Sequence, residues 1–329
     1  MSGVRCTGRK ISRLLCVVLA ACALSGCGSL SYDMVYDADS SVSSFNVVSR
    51  QDNRSAVPFA SNLCVVTDNV AGQDGFDMSH AEAAVLFSLS DCKVLYAKNA
   101  HESLHPASLT KVMTALVALK NGSLDQILTA TSAVNITESG AQLAGLKAGD
   151  TMTLDQALRI LLLYSANDVA MMIAEGVGGS VDNFVAMMNE EAKRLGATNT
   201  NFVNPHGLTD DDHKTTAYDL YLIFNEALKY ETFSEIIQMT GYQTTYYDSQ
   251  GRPKEFDKKT TNLFLQGEYQ APGNVTVIGG KTGTTSAAGH CLMILSRDVG
   301  GAPYISVVMR TESTDALYLG MIGLLGEIP

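Results

Sequence analysis

Apolar residues in this chain fall into a few well-marked blocks, and the breaks between them are as informative as the blocks. Residues 105–111, His105-Pro106-Ala107-Ser108-Leu109-Thr110-Lys111, lead into an apolar stripe at Val112, Leu116 and Leu119. That spacing predicts a helix, and Pro106 suits its first turn, where a backbone N–H would have no partner anyway. A second helical run, capped by a threonine in the Thr151-Met152-Thr153 stretch, continues through Leu163. It stops at Tyr164-Ser165-Ala166-Asn167-Asp168, and helix-like spacing resumes at Val169. The flanks, residues 160–163 and 169–173, are so apolar that the polar break is expected inside the protein, where polar groups need partners. Residues 275–285 read as a β-strand whose end is rich in glycine, and glycine lets another backbone come close. No internal repeat interrupts this pattern.

The polar residues in these blocks suggest one chemistry. Ser108 and Lys111 are three apart, so on a helix they share a face. A serine hydroxyl is a poor nucleophile until a base takes its proton, and a neutral lysine amine can be that base. Burial and a second cation would lower the Lys111 pKa, and Lys281 is the candidate second cation. Ser108 also sits at the positive end of the expected helix dipole. Ser165 can relay a proton, and the Asn167 amide can hold a substrate carbonyl or the lysine. In Lys281-Thr282-Gly283-Thr284, the Thr284 N–H with the Ser108 N–H would make a two-donor oxyanion hole. The strand edge would take an extended peptide.

Ser108-x-x-Lys111, Ser165-x-Asn167 and Lys281-Thr282-Gly283 are together the motif set of class A β-lactamases and penicillin-binding proteins. From about residue 81 to 310 the chain resembles the D-alanyl-D-alanine carboxypeptidases, the low-molecular-weight penicillin-binding proteins of the serine peptidase, β-lactamase-like superfamily. The likeness includes Ala84-Val85-Leu86 with Lys93-Val94-Leu95-Tyr96 as an opening hairpin, Asn204-Pro205-His206-Gly207-Leu208, and a strand ending Val307-Val308-Met309-Arg310-Thr311. The resemblance implies an α+β fold, a helical cluster packed on a five-stranded antiparallel sheet with the site between them. It implies removal of the terminal D-alanine from peptidoglycan stem pentapeptides through an acyl-enzyme on Ser108, and acylation by β-lactam antibiotics as inhibitors. Carried over by position, Ser108, Lys111, Ser165 and Asn167 are catalytic. Lys281, Thr282, Thr284 and Arg310 bind substrate, with Lys281, Thr282 and Arg310 on the terminal carboxylate. No cofactor is implied.

The sequence departs from well-known members in two ways. They carry a further β-rich domain and a carboxy-terminal amphipathic membrane helix. Here the last apolar segment, residues 316–325, fits the final helix of a catalytic domain and is too short to span a bilayer. Some relatives also have a histidine where Thr284 stands. A D,D-endopeptidase would use the same residues, and a non-catalytic peptidoglycan-binding lipoprotein is a further alternative. A class A β-lactamase needs a glutamate in the stretch matching residues 196–206, which holds no acidic residue.

The amino terminus adds a location. Arg5, Arg9, Lys10 and Arg13 precede an apolar run at residues 14–24, the pattern of a secretory signal. Leu24-Ser25-Gly26-Cys27 resembles a lipoprotein box, so residues 1–26 are expected to be removed and Cys27 lipidated, anchoring an extracytoplasmic protein to the cell membrane. Residues 27–60 read as lipidated cysteine and flexible tether, with an end-to-end distance of about 30 Å, and residues 61–329 as the catalytic domain. Cleavage removes four of 23 basic residues and none of 34 acidic ones, so 19 face 34 and the net charge is −15. That argues against nucleic-acid binding. Cys64, Cys92 and Cys291 remain, enough for one disulfide and a free thiol or for three buried thiols. None has a metal-ligand spacing, and His101 with His105 lacks a third ligand, so no metal is expected.

Overall fold

The computed structural model describes residues 62–329. The expected signal peptide, Cys27 and the tether lie outside the described residues. A hairpin opens the fold, β1 (Ala81–Ser88) and β2 (Lys93–Lys98). The chain then builds its helices and returns as β7 (Val275–Thr285), β8 (Gly289–Asp298) and β9 (Pro303–Thr311). Strand β9 inserts beside β1, giving a five-stranded antiparallel sheet in the order β2-β1-β9-β8-β7 with β7 at an edge.

Both faces of this sheet are covered. Ile305, Val307 and Met309 of β9 enter one core, and Tyr304 and Val308 enter the other. Side chains alternate across a strand, so two buried faces make β8 and β9 apolar nearly throughout. The second face is closed by the last helix, Thr314–Leu325, through Leu317, Tyr318, Met321, Leu324 and Leu325. The first face carries the helical cluster.

At the centre of that cluster lies α1 (Thr110–Asn121), buried at every position from Thr110 to Ala118. A helix surrounded on all sides carries apolar residues on all sides. Helix α2 (Leu154–Leu163) starts with a capping box, the Thr153 hydroxyl accepting from Gln156 N–H while Gln156 Oε1 accepts from Thr153 N–H. Helices α3 (Asn167–Gly178), α4 (Val181–Leu195), α5 (Ala217–Ala227), α6 (Glu231–Ile236) and α7 (Leu263–Gln266) follow, and the last helix is α8.

Two features differ from the sequence reading. The α-helix begins at Thr110 rather than at Pro106, because Ala107 has a left-handed φ of +48° that lies outside the α-helical region. A 3-10 turn, Ala107–Leu109, bridges the gap and carries Ser108. There is also a second sheet, β3 (Ile127–Thr129), β4 (Thr151–Thr153), β5 (Gly241–Tyr247) and β6 (Pro253–Lys259). Its first two strands have three residues each, too short for an alternation to show. No helix among the described residues is long and apolar enough to cross a membrane.

Candidate active site

The three motifs converge where the helical cluster meets the edge strand β7. A cavity of about 400 Å³ is lined by Ser108, Ser165, Asn167, Thr282 and Thr284, with the loop around Gln142 and the start of α7 as its rims. Lys111 and Lys281 stand behind these residues, with 0% and 1% of their surface exposed.

Lys111 Nζ lies 2.8 Å from Ser108 Oγ, 2.6 Å from Asn167 Oδ1 and 2.6 Å from the His206 carbonyl oxygen. Burial holds its pKa well below the usual lysine value, the Lys281 charge lowers it further, and Asp168 partly opposes both. Lys281 Nζ donates to Ser165 Oγ at 2.9 Å and to the Thr282 carbonyl at 2.8 Å. Its own burial brings its pKa down to about 7. Thr282 Oγ1 is 2.6 Å from Thr261 Oγ1. The two amines are thus held by separate partners on either side of Ser165 and Asn167.

Backbone geometry sets these positions. Ser165 sits in the short link between α2 and α3 with φ +70°, a left-handed conformation costly for a non-glycine residue. Asn167 opens α3, and its N–H donates to the Gln142 carbonyl at 2.8 Å. The neighbouring Asp168 carboxylate accepts from the N–H groups of Ala144, Gly145 and Leu146 at 2.8–2.9 Å, which fixes the loop carrying Gln142. Gly283 lets β7 lie against the Ser108 turn, since a Cβ there would be 3.0 Å from the Ser108 nitrogen.

A further network holds that turn from behind. The Thr110 hydroxyl donates to the Ala107 carbonyl at 2.8 Å and lies 2.8 Å from His213 Nε2. Val203 N–H donates to His213 Nδ1 at 3.2 Å, so the proton of the neutral ring sits on Nε2 and points at Thr110. Burial keeps His213 neutral, with a pKa near 4. His206 is likewise held neutral by burial, with the Lys111 charge adding to the effect, at about 3. His206 Nδ1 accepts from Leu208 N–H, and its carbonyl receives Lys111, a supporting part.

Of the residues expected at the site, Arg310 is not brought to the cavity. The register of β8 on β9 slips between His290 and Leu292, leaving Arg310 as the extra residue of a bulge with φ +57°. Its N–H meets Cys291 Sγ, and its exposed side chain lines shallow pockets with His80 and Glu82. Cys64, Cys92 and Cys291 are free thiols, Cys92 half-buried and the other two buried. Cys291 lines the cavity, but burial pushes its pKa up to about 12, so it stays a thiol. The sequence reading did not include Thr261, Gln142, Asp168, His213 or His290. Asp168 adjoins Asn167 in the polar break, and the others reach the site through loop packing and strand pairing rather than through a local motif.

A helical cluster on a five-stranded antiparallel sheet, with a serine lining the cavity paired to a buried lysine at their junction, defines the DD-peptidase, penicillin-binding fold. The family model for D-alanyl-D-alanine carboxypeptidases, Peptidase S11, matches residues 69–313, and the chain belongs to that family. It is 38% identical over 253 residues to the D-alanyl-D-alanine carboxypeptidase DacF of Bacillus subtilis, covering 74% of this chain and 61% of that one. Against DacC of Escherichia coli the identity is 33% over 242 residues, covering 71% and 57%. The chain thus spans about three-fifths of the length of these curated relatives. The crystal structure of the Streptomyces K15 DD-transpeptidase superposes with a TM-score of 0.70 at 27% identity, over 80% of this chain and 98% of that one.

Gly207 tests the packing of the nucleophile turn. Its φ is +86°, and a Cβ would fall 1.9 Å from the Ala107 carbonyl oxygen. Gly207→Ala should therefore destabilise the protein by roughly 1–3 kcal/mol or more, read as a lowered thermal midpoint together with slower reaction at Ser108.

Proposed function

We propose that this protein is a serine D-alanyl-D-alanine carboxypeptidase that removes the terminal D-alanine from peptidoglycan stem pentapeptides and is acylated by β-lactams. The observation that carries the reading is the buried Lys111 amine 2.8 Å from Ser108 Oγ, in surroundings that favour its neutral form. A neutral amine has two N–H groups, which match the two carbonyl oxygens of Asn167 and His206. Its lone pair is then left to take the Ser108 proton.

Ser108 Oγ attacks the penultimate carbonyl as its proton passes to Lys111. The oxyanion forms between the Ser108 and Thr284 N–H groups, donors of a kind worth about 100–1000-fold in rate each. Ser165, bonded to Lys281, relays the proton to the departing D-alanine nitrogen, and the C–N bond breaks to leave an ester on Ser108. Asn167 lines the cavity, where its amide nitrogen would hold a substrate carbonyl, and Lys281 and Thr282 supply charge and a hydroxyl on the leaving-group side. Water then attacks the ester with Lys111 again as base. A D,D-endopeptidase would run the same steps on a cross-link. The β-lactamase reading is disfavoured because, among the described residues, no carboxylate lines the cavity to activate water.

For location, the basic amino-terminal residues, the apolar run and Leu24-Ser25-Gly26-Cys27 support export and lipid attachment at Cys27. Two or three acyl chains anchor firmly where one does not. The catalytic domain, residues 61–329, would then work at the outer face of the cell membrane on peptidoglycan within reach of the tether.

Incubating the purified full-length protein with a fluorescent penicillin tests the function by intact mass. A stable adduct on Ser108 is expected, absent in Ser108→Ala, followed by D-alanine release from a stem pentapeptide by the wild type. Rapid penicillin turnover would favour a β-lactamase, and no adduct a binding protein. Removing the second cation with Lys281→Met takes away a charge that disfavours the Lys111 ammonium. Lys111 then binds its proton more readily, so the acid limb of the acylation–pH profile should move to higher pH. Cys27→Ser should abolish incorporation of a labelled fatty acid and release the protein from the membrane fraction.

A further inference from the structure

A carboxypeptidase must recognise a free terminal carboxylate, and the cations expected to do so are poorly placed for it. Lys281 is buried and already donates to Ser165 and the Thr282 carbonyl. Arg310 is turned out of the cavity by the β-bulge. Among the residues that line the cavity, His290 is the one imidazole; the rest are hydroxyl, amide, glycine and apolar groups, with one thiol and one phenol.

His290 reaches this position through strand pairing. It stands opposite Thr284 in the β7–β8 ladder, one strand in from the edge. Its Nδ1 is 3.5 Å from Thr284 Oγ1 and 3.4 Å from Thr314 Oγ1, hydroxyls that bracket that side of the ring. Nε2 has no hydrogen-bond partner among the described residues. The ring lines both the cavity and the adjoining shallow pocket, where His80, Glu82, Arg310 and Glu312 are the other titratable or charged groups.

Resting on the carboxypeptidase reading, we infer that His290 contacts the terminal carboxylate of the substrate and so makes the site selective for a free C-terminus. Thr284 Oγ1, bonded to the same ring, shares the contact. Glu82 and Glu312 line the shallow pocket with His290 and are not among the residues that line the cavity.

The test compares Ser108 acylation of the full-length protein by benzylpenicillin, which carries a carboxylate, and by its methyl ester, which does not. The wild type should favour the acid. His290→Gln, which keeps a donor but no charge, should slow acylation by the acid about 10- to 100-fold, the range of a hydrogen bond to a charged group. Acylation by the ester should change little, which also reports that the variant is folded, and His290→Lys should restore part of the preference. The inference is overturned if His290→Gln keeps the wild-type preference, if both ligands slow equally, or if Arg310→Gln alone removes the preference. Equal wild-type rates with acid and ester would also overturn it while leaving the function standing. No wild-type acylation by either ligand would overturn the function, and this assignment with it.

Discussion

One buried amine governs this structure. Lys111 is wholly enclosed, yet it touches the hydroxyl of Ser108, the amide of Asn167 and a backbone carbonyl. An ammonium removed from water without a carboxylate partner is expensive enough that the group tends to give up its proton instead. Lys281, itself buried, adds a like charge that pushes the same way. The surroundings of α1 follow from this. An enclosed amine needs a helix buried on every side, a polar link between α2 and α3 to meet it, and an edge strand to bring the second lysine.

Holding that arrangement stores strain, and the strain is matched by buried partners. Ala107 and Ser165 both occupy left-handed backbone conformations, which cost of order 1–3 kcal/mol each and persist only where the surroundings over-determine them. Around Ala107 the determinants are the Thr110 hydroxyl, the neutral His213 ring behind it, and Gly207, which has no Cβ to collide with the Ala107 carbonyl. Around Ser165 they are two helices with apolar buried faces and the Lys281 amine. Asp168 extends the same logic outward by tying three loop amides to the start of α3. The nucleophile is therefore positioned by a layer of fully bonded polar groups rather than by packing alone.

What was legible in the sequence divides along the range of the interactions. Ser108 and Lys111 are three residues apart, and the strand at residues 275–285 was readable from its own composition to its last residue. The five-stranded sheet followed from resemblance rather than from pattern, because its central strands are buried on both faces and show no alternation. The left-handed Ala107 was not legible, since alanine carries no mark of positive φ and the conformation is imposed by His213 and Gly207, about a hundred residues away. The expectation that Arg310 binds substrate comes from the family resemblance, carried over by position, and not from its place at a strand end. A one-residue slip between β8 and β9, invisible in sequence, turns it outward. The separate pairing of β7 with β8 brings His290 beside Thr284, a neighbour that no local pattern marks.

The charge arrangement explains why the proposed chemistry has two different fates for its acyl-enzyme. The chain as a whole is acidic, with a formal net charge of −11, but among the described residues no carboxylate lines the cavity, and the amines of Lys111 and Lys281 stand enclosed behind it. Hydrolysis of the ester on Ser108 then depends on Lys111 acting a second time as base, with water entering from the leaving-group side. A cleaved D-alanine diffuses away and opens that side. In a β-lactam the departing nitrogen remains joined to the acyl group through the opened ring system, so the side that water needs stays filled. With no second base elsewhere to approach from the opposite face, the adduct has no alternative route to hydrolysis. On the proposed function, a cavity wall with no carboxylate among the described residues is what would separate a peptidase that β-lactams inhibit from an enzyme that destroys them.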